Sequence, residues 1–348
     1  MPIDAKTEKE TLDLMIERLS HVVPELELRK KAPLVFKINQ LKKKRGAVIL
    51  GHNYMEPALF HTVADIVGDS LELSRKAAES KADPIVFCGV RFMAETAKIL
   101  NPSRMVLLPA RVAGCSLAAS ITAEDVRNLK KQYPGVPVVT YINSYADVKA
   151  ETDVCVTSGN AAKIVSMLDS DSVIFIPDEY LAQNVARETG KKIIFPKVTG
   201  SPANDNTPVM IGWRGKCEVH DQFTVDDIKN ARQQFPDVAI LAHPECPPEV
   251  VELADFSGST SKMIQHVKNT KASKYLLLTE CSMGDNIAAE NPDKEMVRMC
   301  SVRCPHMNEI TLEDTLRALE QNVEEIFVPE DIQTRARRSV ERMLEMSA

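Results

Sequence analysis

The sequence predicts an α/β protein of three related three-layer αβα domains, each with a short parallel sheet, set around a pseudo-threefold axis with the active site at their central junction. Three observations lead there. The strings GHNYMEP at 51–57, TYINSYA at 140–146 and AHPECPP at 242–248 each close a strand-like apolar run. A hydroxyl then follows at nearly fixed distance: Ser70 stands 18 residues after His52, Ser158 17 after Tyr141, and Thr260 17 after His243. New apolar runs begin 32, 31 and 31 residues beyond the same anchors, at Pro84, Ser172 and Lys274. A period of domain size signals duplicated domains and not a solenoid.

Taken in order, residues 1–32 form an N-terminal helical segment, with a charged helix over 5–30. The first repeat, 33–117, reads strand, helix, strand, helix, strand through GAVILGH, LELSRKAAES, PIVFCGV, FMAETAKILN and MVLLPA. That alternation suits a parallel sheet. The second repeat, 118–219, runs from VPVVTYI to KIIFPK and carries a Pro- and Asn-rich loop or short hairpin at 199–215, which breaks the pattern. The third, 220–308, runs from VAILAHP through KYLLLTE to KEMVRMC, and two C-terminal helices, 309–348, pack on the repeats. In open α/β sheets ligands collect beyond the carboxyl ends of the strands, where all three strings fall.

With 348 residues the chain can bury about three quarters of its unfolded surface. A net charge of -6 argues against a nucleic-acid or membrane-surface partner, since such partners are met by clustered Lys and Arg. The one dense basic run, Lys42 to Arg45, reads as a solvated helix end before the strand GAVIL. The polar, acidic start MPIDAKTEKE has neither the apolar core of a signal peptide nor the Arg-rich look of a transit peptide. No apolar run approaches the roughly 20 residues that span a bilayer. A cytoplasmic location is expected, where eight cysteines stay reduced and metal or cluster ligation becomes their competing use.

One cysteine stands at the end of each repeat: Cys115 in AGCSL, Cys217 in GKCEVH and Cys304 in RCPHM, lying 63, 76 and 61 residues after His52, Tyr141 and His243. The loop at 199–215 explains most of the longer middle interval. One thiolate per domain would meet at the threefold centre. Three thiolates fit an iron-sulfur cluster better than structural zinc, which takes a fourth protein ligand and short pairs such as C-x2-C, absent here. One iron would stay open. Cys88, Cys155 and Cys281 lie in strand-like runs and read as core, Cys246 neighbours the third string, and Cys300 is an alternative fourth ligand that would close the cluster.

HNY at 52–54, GDSLELS at 68–74, GVRFMAETAKIL at 89–100, YIN at 141–143, TSGNA at 157–161, HPE at 243–245, GSTS at 258–261 and the three cysteines together resemble quinolinate synthase, over roughly residues 35–310. The resemblance implies a 4Fe-4S cluster on Cys115, Cys217 and Cys304, with its open iron as Lewis acid. It implies condensation of iminosuccinate with dihydroxyacetone phosphate to quinolinate, releasing phosphate and water, for NAD synthesis. L-aspartate oxidase or aspartate dehydrogenase would be the functional link on the iminosuccinate side. The implied substrate shell is His52, Ser70, Tyr141, Ile142, Asn143, Ser158, His243, Pro244, Glu245 and Thr260.

The residue chemistry agrees. Ser70, Ser158 and Thr260 precede helix-forming runs, where a hydroxyl caps the helix and free N–H groups attract carboxylates and phosphate. Glu245 is the expected general base or acid, with Tyr54 and Tyr141 as phenol donors. His220 is either a neighbour of the cluster and substrate or a surface-loop histidine. Some relatives carry C-x2-C-x2-C around the last ligand as a redox switch; Cys300-x3-Cys304 here argues against one. An aconitase-like hydro-lyase and a non-catalytic iron-sulfur sensor are the competing readings.

Overall fold

The computed structural model describes residues 2–196, 209–299 and 302–348. Each repeat builds its own sheet. In the first, β1 (Val48–His52), β2 (Ile66–Gly68), β3 (Ile85–Cys88) and β4 (Val106–Leu107) lie in the order β2-β1-β3-β4. The second holds β5 (Val138–Tyr141), β6 (Val154–Val156), β7 (Val173–Ile176), β8 (Lys192–Ile194) and β9 (Val209–Gly212) in the order β6-β5-β7-β9-β8. The third repeats the first, with β10 (Ala239–Ala242), β11 (Phe256–Ser257), β12 (Lys274–Leu278) and β13 (Glu295–Val297) in the order β11-β10-β12-β13. Every pairing within these sheets is parallel, and helices interleave with the strands as αβα layers require.

Register positions the site. His52 pairs with Gly68, Tyr141 with Val156 and Ala242 with Ser257, so each anchor string ends beside the loop that carries its partner hydroxyl.

Several elements differ from the sequence reading. Each repeat adds a short helix and strand straight after its first strand: Pro57–Thr62 with β2, Ala146–Ala150 with β6, and Pro248–Leu253 with β11. Helices of five or six residues and strands of two or three are too short to show a period. In the 199–215 segment, Val209–Gly212 is not loop but a strand between β7 and β8, equivalent to β4 and β13. Its apolar VMIG is masked by the surrounding Pro and Asn; residues 199–208 lie outside the described residues.

The N-terminal segment is two helices, Glu8–Leu19 and Glu25–Arg45, because Pro24 fixes an extended entry to the second, which continues to the Gly46 cap at φ 64°. Its basic last turn is not wholly solvated: Lys42 is buried, paired with Asp65 at 2.8 Å and donating to the Val63 carbonyl at 2.7 Å. The C-terminal helices are Leu312–Gln321 and Glu330–Met346. Among the described residues no helix is long and apolar enough to cross a membrane.

One apolar core runs through the first sheet, part of the second and both terminal segments; the second sheet also carries a separate cluster around Val138, Ile174, Ile176 and Ile211, and the third sheet is lined by two separate clusters.

Candidate active site

The three cysteine loops are copies of one device. The residue opening the helix after the third strand donates its N–H to the carbonyl two places before each cysteine: Arg91 to Ala113 at 2.8 Å, Glu179 to Gly215 at 2.7 Å, Cys281 to Val302 at 3.1 Å. Three residues past each cysteine a 3-10 turn begins, at Ala118, His220 and Met307. Seven past it stands a Thr, Thr122, Thr224 or Thr311, that accepts from the N–H of Asp125, Asp227 or Asp314 and caps a ten-residue helix. Cys-x6-Thr-x2-Asp is therefore a further string that all three repeats carry.

These loops deliver Cys115, Cys217 and Cys304 to the lining of a single cavity. Each sulfur faces backbone N–H groups of its own turn: Leu117 and Ala118, Val219 and His220, His306 and Met307. Such donors favour an anionic sulfur. Burial works the other way, pushing the Cys115 thiol up to about 12 and Cys304 to about 11, and raising Cys217 well above the ordinary thiol range. Unassisted, three buried thiols stay protonated at neutral pH; a bound cationic centre is what would make them thiolates. The donor set thus fits a thiolate-held metal group.

Among the described residues only Cys217, His220 and Glu245 bring three ligand atoms within 4.8 Å of one another, so the three sulfurs are spread wider than the shell of a single ion. That suits a polynuclear cluster. Cys88 and Cys155 are buried in strands as expected, whereas Cys281 opens the helix Cys281–Glu290 instead of ending a strand. Cys300 lies outside the described residues.

Around the rest of the cavity stand His52, Tyr54, Ser70, Tyr141, Asn143, Ser158, His243, Glu245 and Thr260, from all three repeats. Ile142 and Pro244 do not line it. Ile142 is buried beneath its string, and the Pro244 carbonyl accepts from Asn184 at 2.9 Å beside a neighbouring groove.

The hydroxyls are placed differently from the capping expectation. Asp69 and Ser259 are the N-caps of Ser70–Glu79 and Thr260–Asn269, which leaves Ser70 and Thr260 at the first helical position, while Ser158 precedes the cap Asn160 by two residues. A capping side chain is spent on its own helix; the displaced hydroxyls face the cavity.

Glu245 is the electrostatic centre. Nδ1 of His220 and Nδ1 of His243 each lie 3.1 Å from its Oε2. Burial alone would raise this carboxyl, but the two imidazoles outweigh burial and hold it below the usual carboxylate range. The two rings stack with centroids 4.6 Å apart. From His220 the chain continues through Nε2 to Thr279 Oγ1 at 3.0 Å and on to the Tyr54 hydroxyl at 2.5 Å. From His243 it reaches Ser158 Oγ at 3.2 Å. Asn143 Nδ2 donates to Glu245 Oε1 at 3.4 Å.

His220 is thus a buried member of the site and not a surface-loop residue, and Thr279, just after β12, is a further member that the repeat did not mark, because the equivalent positions after β3 and β7 are Gly89 and Pro177. Burial raises both Tyr54 and Tyr141 well above the usual phenol range and lowers His52 to about 4, so both phenols keep their protons and His52 is neutral at pH 7. Among the described residues no Lys or Arg lines the cavity. Anions would be met by N–H groups, hydroxyls and imidazoles.

A family model for the quinolinate synthetase A protein matches residues 36–345. The chain is 52% identical over 332 residues to a quinolinate synthase of Agrobacterium fabrum, covering 95% of this chain and 91% of the relative. It is 53% identical over 307 residues to one from Xylella fastidiosa, covering 88% and 85%, and 48% identical over 334 residues to one from Caulobacter vibrioides, covering 95% and 86%.

Proposed function

Because the chain belongs to the quinolinate synthetase A family, we propose that it is a cytoplasmic quinolinate synthase, condensing iminosuccinate with dihydroxyacetone phosphate to quinolinate in NAD biosynthesis. The balance leaves phosphate and two waters. The observation that carries the reading is one cavity lined by a cysteine from each of three like-built loops and by Glu245, whose Oε2 lies 3.1 Å from an imidazole nitrogen of both His220 and His243.

Cys115, Cys217 and Cys304 would hold a 4Fe-4S cluster, which supplies a Lewis acid for a departing oxygen through its open iron. The protein's own groups do the rest. Ser70 and Thr260, each opening a ten-residue helix, present hydroxyl and N–H donors to carboxylate or phosphate oxygens. Glu245 accepts a proton through His220 or His243 and returns it to Tyr54 or Ser158 at the two ends of the chain. Tyr141 donates from its neutral phenol. Val90, Phe92 and Met93 close the wall with apolar side chains and keep water away. Iminosuccinate is labile, so an L-aspartate oxidase or aspartate dehydrogenase beside it is the supplier this reading calls for.

The test is anaerobic purification with iron and sulfide counted beside a quinolinate assay, iminosuccinate being generated in the cuvette. About four irons with quinolinate formed supports the reading. A cluster without quinolinate, but with dehydration of a small polycarboxylate, shifts it to a hydro-lyase.

A further inference from the structure

The motif GVRFMAETAKIL puts only Val90, Phe92 and Met93 on the cavity; its Arg91 and Glu95 act across the repeat boundary. Glu95, 3% exposed, accepts the Ala146 N–H at 2.9 Å through Oε2, and its Oε1 takes the Arg91 Nε at 2.7 Å. The Arg91 guanidinium lies 5.0 Å over the Tyr145 ring. Beside them Lys149, 0% exposed, donates from Nζ to the Ser144 carbonyl and sits 5.5 Å from the Phe92 ring centre.

No carboxylate among the described residues hydrogen-bonds this ammonium, and burial presses its pKa below the ordinary lysine value. At the same distance from the anchors His52 and His243 the other repeats carry Phe60 and Val251. An apolar residue therefore suits this place in the fold, and a buried cation is costly there. Unlike an apolar residue, Lys149 bonds the backbone of the 140–146 string, whose Asn143 bonds Glu245.

We propose that Lys149 is a positioning residue for the reaction: by gripping the Ser144 carbonyl against Phe92, it fixes the second string so that Asn143 and Tyr141 meet Glu245 and the substrate. The inference rests on the function proposed above for its kinetic readout only. A displaced string misaligns the reacting groups, and misplacement by about 1 Å can cost up to 10²-fold in rate.

The test compares Lys149→Met with Val148→Ala, a cavity in the same short helix that leaves the Ser144 bond intact. Lys149→Met is expected to lower kcat about tenfold or more with its thermal midpoint unchanged or raised, because the buried charge is gone. Val148→Ala is expected to lower the midpoint and leave kcat within about twofold. Hydrogen exchange of the Ser144 and Ala146 amides should quicken about tenfold in Lys149→Met, a readout independent of any activity. Unchanged exchange overturns the proposal, as does an equal kcat loss in the two variants. A wild type that makes no quinolinate overturns the proposed function, while the exchange comparison still decides the role of Lys149. Lys149→Gln, too short for the Ser144 carbonyl, enters the same tests if the Met variant does not fold.

Discussion

Glu245 stands where side chains from the three repeats converge, and its carboxylate is held ionised between two imidazoles inside a cavity that, among the described residues, has no lysine or arginine in its lining. Glu245→Gln keeps the shape and one acceptor oxygen but cannot take a proton, so iron content and substrate binding should persist while kcat falls by roughly 10²–10⁴-fold. Iron analysis with single-turnover assays checks this, and unchanged turnover would remove Glu245 from catalysis. The sulfur wall makes a second demand: Cys304→Ala should lose the iron and Cys300→Ala retain it, and equal loss in both would sink the three-ligand arrangement. HPE announced Glu245 through its matched place in a repeat. Thr279 had no such announcement, since a lone Thr after a strand is chemically ordinary until His220 and Tyr54 are seen on either side of it.

The helix openings separate two jobs that sequence alone merged. Asp69 accepts the Leu71 and Glu72 N–H groups at 3.1 and 3.0 Å and takes a third bond from Ser259 Oγ at 3.0 Å, whereas Ser70 beside it is free to face the cavity. Asp69→Ala should therefore cost about 1–2 kcal/mol of stability. Ser70→Ala should stay within about 0.5 kcal/mol yet raise KM severalfold, because a donor to substrate is lost without an exposed apolar cost. Denaturant midpoints and KM measured on both variants check the split; a stability loss at Ser70 equal to that at Asp69 would return capping to the serine. A single-residue shift of helix start is what the spacing could not resolve, because GDS, TSG and GST each offer more than one side chain able to cap. The strings themselves were legible, since an apolar strand ending in His or Tyr has a recognisable pattern, while the two- and three-residue strands beside them have none.

At the scale of the molecule the triplication was legible as spacing, but its unequal assembly was not, because which repeats share a core depends on faces that meet only in the fold. The first sheet, part of the second and both termini share one core, although the second sheet also has a cluster of its own; the third sheet has no strand residue in the shared core and keeps its own clusters. Near the cavity the third repeat is joined to the others largely by polar contacts: Asn286 Nδ2 to the Met55 carbonyl at 2.8 Å, Asn53 Nδ2 to Thr260 Oγ1 at 2.9 Å, and Lys262 Nζ to the Gly159 carbonyl at 3.0 Å. A cluster taking one sulfur from each repeat would then cross-link this polar seam. Anaerobic removal of iron by a chelator should lower the thermal midpoint, by roughly 2–4 °C for each kcal/mol of metal binding that reports on folding. The loss should be uneven. Amides of β10 and β12 should gain exchange before those of β1, β3, β5 and β7, because local opening follows the boundary where shared apolar burial is least. Hydrogen exchange on the iron-loaded and iron-free protein decides it: simultaneous loss across all three sheets would mean that the polar seam couples the repeats as firmly as a common core, and that the cysteines add chemistry without adding cohesion.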